Sequence, residues 1–519
     1  MSSLALPLKA APRRAGLRSR PWLSSRDGVD ALLAVALMGL TAALLALLPS
    51  AFSVDSWLAL ATGREVWSAG VPHHEVLTVM SHGIPWIDQQ WLSQLTMYGT
   101  YLLGGLGLVG VANTALFVLG AGGAVVAARK LGASPRSVLL LLPLCLWLIV
   151  PSHEVRTQEF AMPLFAATAY LLARDSRAPS RRVYWCLPIL VLWGNLHGSV
   201  TLGALLVVLR GATVAVERRK LLLSSPRPWC RPLALALGAT LCLLATPYGL
   251  SILSYYRTMF LGGTVVHVAS EWQPVVSNAM LAAPFFLVAA LAVWSVARRR
   301  SRTTPWEQLA LLVLAAGSFE VIRNLLFFGL MALMVLPVAL DGPARPLAER
   351  NGQPAMRGRG GVNAMLSGIV LAVVLLTGAR ALVRPASTIE SHYQRTRILT
   401  LVEDVTRADP SVKVLTDDRF ADWLLWRDPG LSGRIANDTR WELLTATQVN
   451  RLQALFTATG PHWRAGARGY RLLVLDKKHA PAATAALSAD PGSRVLYDDG
   501  ERVVILRGAL TPRPWSRRT

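Results

Sequence analysis

Four short stretches of this sequence set ionisable side chains among apolar ones. The first is VDSWLALATGREVW, residues 54–67. Asp55 stands where a helix N-cap is expected, because a carboxylate there accepts from the free backbone N–H groups of the first turn. The helix it opens is amphipathic and suited to lie in a membrane interface. A carboxylate held at such a surface can instead act as general base on an acceptor hydroxyl or amine. The second stretch is PSHEVRTQEF, 151–160. His153, Glu154, Arg156, Gln158 and Glu159 are more polar groups than a solvated turn with one local ion pair needs. Arg156 offers planar, bidentate recognition of phosphate. The third, LWGNLHGSV (192–200), carries Asn195 and His197 at a break between apolar segments. It reads either as a satisfied helix break or as a phosphate or sugar contact. The fourth, SFEVIRNLL, holds Arg323 between two apolar runs. Arg323 either forms a buried pair with Glu320 or neutralises a phosphate. TPYG (246–249) and SEWQP (270–274) read as a helix end and an interfacial aromatic anchor.

The elements that must position these residues are membrane helices. Of the 519 residues, 53% are hydrophobic and 16% charged, against about 25% charged in an average globular chain. The apolar residues come in long runs such as 31–48, 279–297 and 363–383, and a bilayer-spanning helix needs about 20 of them. The first run is too long for a cleaved signal and lacks a small-residue cleavage site. The fold class expected is therefore mostly α: a polytopic transmembrane protein of about 11–13 spans. The 91–128 stretch holds two apolar pieces around Gly104-Gly105-Leu106-Gly107 and must cross an odd number of times. One piece is then interfacial, or the two form one long bent helix.

A net charge of +23 would point to nucleic acid in a soluble protein. Here the arginines cluster in short connections at 13–26, 129–136, 174–182, 218–231, 298–302 and 345–359. The positive-inside rule puts such loops in the cytoplasm, so the charge reports orientation and a nucleic-acid partner is not expected. A basic tail (1–29) then lies inside, a transmembrane domain spans 30–385 with a long outer loop at 50–90, and residues 386–519 lie outside. The last segment alternates strands (412–417, 471–476 and a hairpin over 494–508 turning at Asp499-Gly500) with helices (420–426, 445–459), an α/β domain. With that orientation His73, His74, His82, His153, His197 and His267 all fall in outer connections, as do Asp55, Glu65, Glu75, Asp88, Glu154, Glu159, Glu271 and Glu320. Ionisable groups at membrane depth face cavities or pathways, so one outward-facing cavity is expected. The four cysteines show neither metal-like spacing nor a disulfide framework. No HExxH, Walker motif or GxGxxG in context occurs; a divalent cation between Asp55 and Glu154 or Glu159 remains an option.

The order of one span, an outer loop opening on an acid, many further spans and an outer soluble domain resembles the GT-C-fold glycosyltransferases. These are membrane enzymes that use polyprenyl-phosphate-linked sugars, oligosaccharyltransferases and protein mannosyltransferases among them. More closely, DSWLALATGREVWSAGVPHHE, IPWIDQQWLSQL, EVRTQEF, LWGNLHGS, TPYG, SEWQP and DRFADWLLW…GRIANDTRWELL are similar to a group of bacterial polytopic membrane proteins with a WxNLHG motif, regarded as glycosyltransferase-like. The resemblance implies an enzyme of a bacterial cytoplasmic membrane. It would move a sugar, with inversion, from a polyprenyl phosphate to an extracytoplasmic glycan, lipid or protein acceptor. Asp55 would be the catalytic base. Arg156, His197 and Arg323 would bind the lipid phosphate, and Glu154, Gln158, Glu159, Asn195 and His153 would position sugar or acceptor. The rival expectation is a non-catalytic protein on the same fold that binds or translocates lipid-linked glycans.

Overall fold

The computed structural model describes residues 27–217, 219, 229–261, 270–298, 302–341, 360–393 and 395–508. The N-terminal basic tail up to residue 26, most of the 218–231 connection, the 345–359 connection and His267 lie outside the described residues. Among the described residues, the α-helices longer than four residues are α1 (Asp27–Ala46), α2 (Val54–Ala69), α3 (Trp91–Lys130), α4 (Pro135–Ile149), α5 (Ala161–Arg177), α6 (Cys186–Leu196), α7 (Val200–Glu217), α8 (Cys230–Cys242), α9 (Ile252–Leu261), α10 (Ala279–Arg298), α11 (Pro305–Glu320), α12 (Leu325–Leu340), α13 (Gly360–Leu382), α14 (Thr396–Ala408), α15 (Asp418–Arg427), α16 (Ala446–Thr457) and α17 (Pro481–Ser488). Five segments among the described residues are long and apolar enough to cross a membrane: 91–130, 135–152, 200–217, 322–340 and 363–382. Three more apolar helices, over 30–46, 230–242 and 279–295, are shorter.

The 91–128 stretch is one long bent helix. Gly104 (φ −160°) and Gly105 (φ 66°) leave helical geometry inside α3, and the positive φ at Gly105 is a conformation glycine adopts without strain. Helix α12 is apolar all round and buried along nearly its whole length, as expected of a helix enclosed by others. It packs on α3, α4, α10 and α11. At the ends of the helices away from the 150–160 turn, buried charges are paired. Arg210 meets Asp175 at 3.0 Å and Arg177 meets Glu307 at 2.8 Å, which offsets the cost of removing them from water.

After α13 the chain builds a four-stranded sheet from β1 (Val414–Thr416), β2 (Leu472–Asp476), β3 (Ser493–Asp498) and β4 (Arg502–Arg507), in the order β1-β2-β4-β3. The β1–β2 pair is parallel and the others antiparallel. Side chains alternate between the faces with the period of two that strands impose. Val414, Leu472, Val474, Val504 and Leu506 join one apolar cluster; Leu415, Leu473, Leu475, Val503 and Ile505 join another. The first cluster also holds Trp57 and Leu60 of α2 and most of α15. One face of the sheet therefore shares its core with the helix that carries Asp55. The segment 433–436 lies between β1 and residues 77–80: Val79 N–H donates to Ile435 O at 2.7 Å and Ala436 N–H to Val414 O at 2.8 Å. The long loop is thus stitched to the sheet edge.

Candidate active site

Asp55 is the second residue of α2, and the N-cap position belongs to Ser53, whose backbone is extended (φ −112°, ψ −177°). The N-cap expectation for Asp55 is therefore corrected. Its carboxylate stays in the first turn, where the helix dipole favours it, but turns outward. Ser56 does the joining. The Ser53 N–H donates to Ser56 Oγ at 3.0 Å, and that hydroxyl donates to Val155 O at 2.5 Å. The Val155 N–H donates back to Ala51 O at 2.8 Å. These ties fix Arg156 beside Asp55, with Nη1 3.2 Å from Asp55 Oδ2. The same nitrogen lies 3.6 Å from Glu154 and 3.0 Å from Glu271 Oε2.

Glu271 sits on the short turn Ser270–Trp272 and extends the chain of contacts. Its Oε1 accepts from Arg323 Nη1 at 2.8 Å. The two turns are zipped by Ile322 N–H donating to Gln273 O at 3.0 Å, and Trp272 lies under the Arg323 guanidinium at 5.7 Å. Arg323 Nη2 is 3.3 Å from His197 Nε2. On the other side of the ring, Nδ1 lies 2.8 Å from Ser199 Oγ and 3.2 Å from the Ser199 backbone N–H. Arg323 therefore pairs with Glu271, and the expected Arg323–Glu320 pair does not form. Glu320 ends α11 and is exposed, while Val321, extended at φ −140°, turns the next residues the other way.

Asp55, Glu154, Arg156, Glu271, Arg323 and His197 thus form one connected cluster from five segments. It is open to a ligand: Asp55 keeps 39% and Glu271 31% of the side-chain surface accessible, while Arg156 keeps 9%. Burial raises the Asp55 pKa, Arg156 draws it down, and Glu271 and Glu154 push it up again. Glu271 is held at about 2: burial alone would raise it, and Arg323 and Arg156 together overcome that. Burial, then the charges of Arg323 and Arg156, hold His197 well below its ordinary value, so the ring is neutral.

The other expected site residues lie behind this cluster. Glu159 is buried, its Oε1 3.5 Å from His153 Nδ1, and burial raises its pKa against the pull of His153. The His153 ring packs on Phe117 at 4.8 Å. Gln158 is 1% exposed, and neither of its amide atoms has a hydrogen-bond partner among the described residues. The Asn195 amide is committed within the fold: Oδ1 accepts from Trp91 Nε1 at 3.1 Å, and Nδ2 donates to Val191 O and Ala245 O, both at 2.9 Å. The Arg156 guanidinium stands between Asp55 and Glu154, where a cation would otherwise sit. Among the described residues no group of three or more His, Cys, Asp or Glu side chains is arranged to hold a metal ion.

Sequence reasoning missed Glu271 as a site residue; SEWQP holds an acid at the centre of the cluster. It also missed the node that holds the long loop. Arg440 Nη1 meets Glu75 at 2.5 Å, its fork pairs with Asp438, and it lies 4.4 Å over Trp86. From the same segment, Glu442 has its pKa raised to about 7 by burial, with Arg440 and Arg323 among the charges that reach it.

No family model and no curated protein matches the chain. Solved structures do. ArnT from Cupriavidus metallidurans bound to undecaprenyl phosphate is 14% identical, with a TM-score of 0.52 over 92% of this chain and 98% of that one. The oligosaccharyltransferase AglB from Archaeoglobus fulgidus, in complex with an inhibitory peptide and a dolichol-phosphate, is 12% identical, with a TM-score of 0.51 over 94% of this chain and 74% of that one. A mutant of the arabinofuranosyltransferase AftD from Mycobacteria is 14% identical, with a TM-score of 0.50 over 92% of this chain and 41% of that one. At these identities the likeness defines the fold. The chain has the GT-C fold and is a multi-pass membrane protein.

Proposed function

We propose that this protein is an inverting membrane glycosyltransferase that moves a sugar from a polyprenyl phosphate to an acceptor on the outer face of a bacterial cytoplasmic membrane. The observation that carries the reading is Asp55: an accessible carboxylate whose pKa is raised by burial, 3.2 Å from an arginine that leads on to a second one. A base works best with a pKa near the working pH. ArnT and AglB with lipid phosphates bound support a lipid-phosphate donor for this fold.

In this mechanism the acceptor hydroxyl or amine gives its proton to Asp55 as it attacks the anomeric carbon. The bond from that carbon to the phosphate oxygen breaks, and the electron pair leaves on the lipid phosphate. Arg156 and Arg323 offset the charge that gathers there. Neutral His197 takes part by packing against Arg323, with Nε2 3.3 Å from Nη2. Glu154, at the rim, is placed to meet sugar or acceptor. His153, Gln158, Glu159 and Asn195 shape the two turns that carry Arg156 and His197. Residues 395–508 are assigned to the outside of the membrane and hold the Asp55 loop.

The test is a transfer assay in proteoliposomes with labelled polyprenyl-phosphate sugars, comparing wild type with Asp55→Asn. The variant should lose about 10²–10⁴ in turnover, the usual worth of a general base. Equal turnover by both removes Asp55 as base. Tight binding of lipid-linked glycans with no transfer by wild type supports the binding or translocating protein instead.

A further inference from the structure

The charge balance of the cluster conflicts with its use as an anion site. Two arginines face three carboxylates, Asp55, Glu154 and Glu271, and His197 is neutral. With all three carboxylates ionised the region carries net negative charge, and Glu442 adds to it when ionised. A lipid phosphate entering this site as it stands would meet repulsion, with both arginines already engaged. One of the three carboxylates differs from the others. Glu271 alone bridges the arginines, Oε2 on Arg156 at 3.0 Å and Oε1 on Arg323 at 2.8 Å. Asp55 and Glu154 each touch only Arg156.

We propose that Glu271 is the stand-in for the donor phosphate: its carboxylate fills the seat between Arg156 and Arg323, and the donor's phosphate enters by displacing it. This rests on the proposed lipid-phosphate donor. The chemistry of the exchange is balanced. A sugar linked to a polyprenyl phosphate is a phosphodiester with one negative charge and two unsubstituted oxygens, the charge and acceptor pair that a carboxylate offers. Replacing one by the other keeps both arginines satisfied and leaves the cluster charge unchanged. Unsatisfied buried guanidinium groups are costly, so a stand-in also keeps the seat formed between turnovers. After transfer the product is a phosphomonoester of higher charge, and the returning Glu271 competes with it for the same two arginines. Glu271 is thus a positioning residue that governs donor entry and product release.

The sign of the expected effect is unusual: removing an acid from the site should strengthen lipid binding. Full-length wild type, Glu271→Gln, Glu271→Ala and Arg323→Gln are placed in phosphatidylcholine nanodiscs and titrated with undecaprenyl phosphate, and separately with inorganic phosphate. Both Glu271 variants should bind undecaprenyl phosphate roughly 10- to 100-fold more tightly, the worth of one charge-assisted hydrogen bond. Arg323→Gln should bind more weakly. Inorganic phosphate should follow the same order at lower affinity, because the lipid chain adds its own contacts. In turnover, Glu271→Gln should lower KM for the donor and lower kcat with it, as product release slows. If the Glu271 variants bind equally or more weakly while Arg323→Gln still weakens binding, the stand-in is overturned and the lipid-phosphate site survives. If Arg323→Gln leaves binding unchanged, the lipid-phosphate reading falls and the stand-in with it.

Discussion

Arg156→Gln tests the electrostatic part of the mechanism because it separates two jobs of one side chain. The guanidinium holds the donor phosphate, and it also lowers the pKa of Asp55 against burial and two neighbouring acids. Losing the first job reduces kcat/KM at every pH; losing the second moves the pH at which activity fails. Across 3.2 Å, a pair of unit charges is worth about 5 kcal/mol at an effective dielectric of about 20 and about 1.3 kcal/mol in bulk water. Asp55 keeps 39% of its side chain open, so solvent screening weights the figure toward the lower end, about 2 kcal/mol. That is roughly 1.5 pH units. A base must be ionised, so activity is lost as pH falls through its pKa, and raising that pKa moves the loss to higher pH. In kcat/KM, which reports the free enzyme, the acid limb of Arg156→Gln should lie about 1.5 units above that of wild type. Arg323→Gln, whose guanidinium contacts Glu271 and not Asp55, should move it by less than about half a unit. The measurement is the pH dependence of kcat/KM with the donor found in the proteoliposome assay. An unmoved limb in Arg156→Gln, or an equal shift in Arg323→Gln, would refute the assignment of Asp55 as the titrating base.

Two further substitutions probe the scaffold. A Cβ added at Gly63 would lie 2.2 Å from the Gln94 carbonyl oxygen, so Gly63→Ala should push α2 off α3 and cost about 1–3 kcal/mol or more, read as a lower unfolding temperature and reduced turnover. Asp88 is 3% exposed, and burial raises its pKa to about 7, only partly offset by Arg440. Its folded value lies above its ordinary 3.8, so the fold takes up a proton between those values; stability is fullest below about pH 4 and declines as pH rises toward 7. Asp88→Asn keeps an acceptor for the Gln90 N–H and should be stabilised by on the order of 2–4 kcal/mol at pH 8 relative to wild type, with little difference at pH 4. Unfolding temperatures at pH 4 and 8 check this, and parallel pH responses in the two proteins would rule Asp88 out as the source.

How much of this was legible in the sequence depends on the range of the contacts involved. The helices and strands lie close to where apolar runs and alternation put them, because those signals are local. The bend in α3 follows from the Gly104-Gly105 pair. Asp55, Arg156, His197 and Arg323 do meet, since charges at turns on the same end of neighbouring hairpins have one end of the helix bundle to share. Partner choice was not legible. The nearest acid to Arg323 along the chain is Glu320, but its partner is Glu271, and Glu271 also serves Arg156, 115 positions away. Glu271 had one available signal, an acid beside a tryptophan in an outer turn, which reads equally well as an interfacial anchor. Asn195 looked like a ligand for the opposite reason: a polar side chain at a helix break is needed to satisfy the break, and its three partners come from α3, α6 and the end of the α8 segment.

The site is held together by a repeated device. Apart from Glu271, each charged or polar group of the cluster stands next to a residue tied to another segment. Asp55 adjoins Ser56, whose hydroxyl holds Val155 O; Arg156 adjoins Val155, whose N–H holds Ala51 O. Arg323 adjoins Ile322, bonded to Gln273 O, and His197 adjoins Leu196, whose carbonyl accepts from Ser93 Oγ at 2.7 Å. The ties pass through backbone groups, so the functional side chains stay available while their Cα positions are fixed. The same logic extends to the long loop, where Arg64 donates to the carbonyls of Leu425 and Trp426 at 2.6 and 2.8 Å and Arg440 joins Glu75. Asp55 therefore lies on a helix clamped from both sides, by the 150–160 turn at its start and by α15 one face over. A carboxylate so placed loses little entropy when it meets an acceptor, which is the condition for a weak base to work on a bound substrate. Glu271 differs in its setting. It sits two residues from its turn's tie, on a segment of three helical residues.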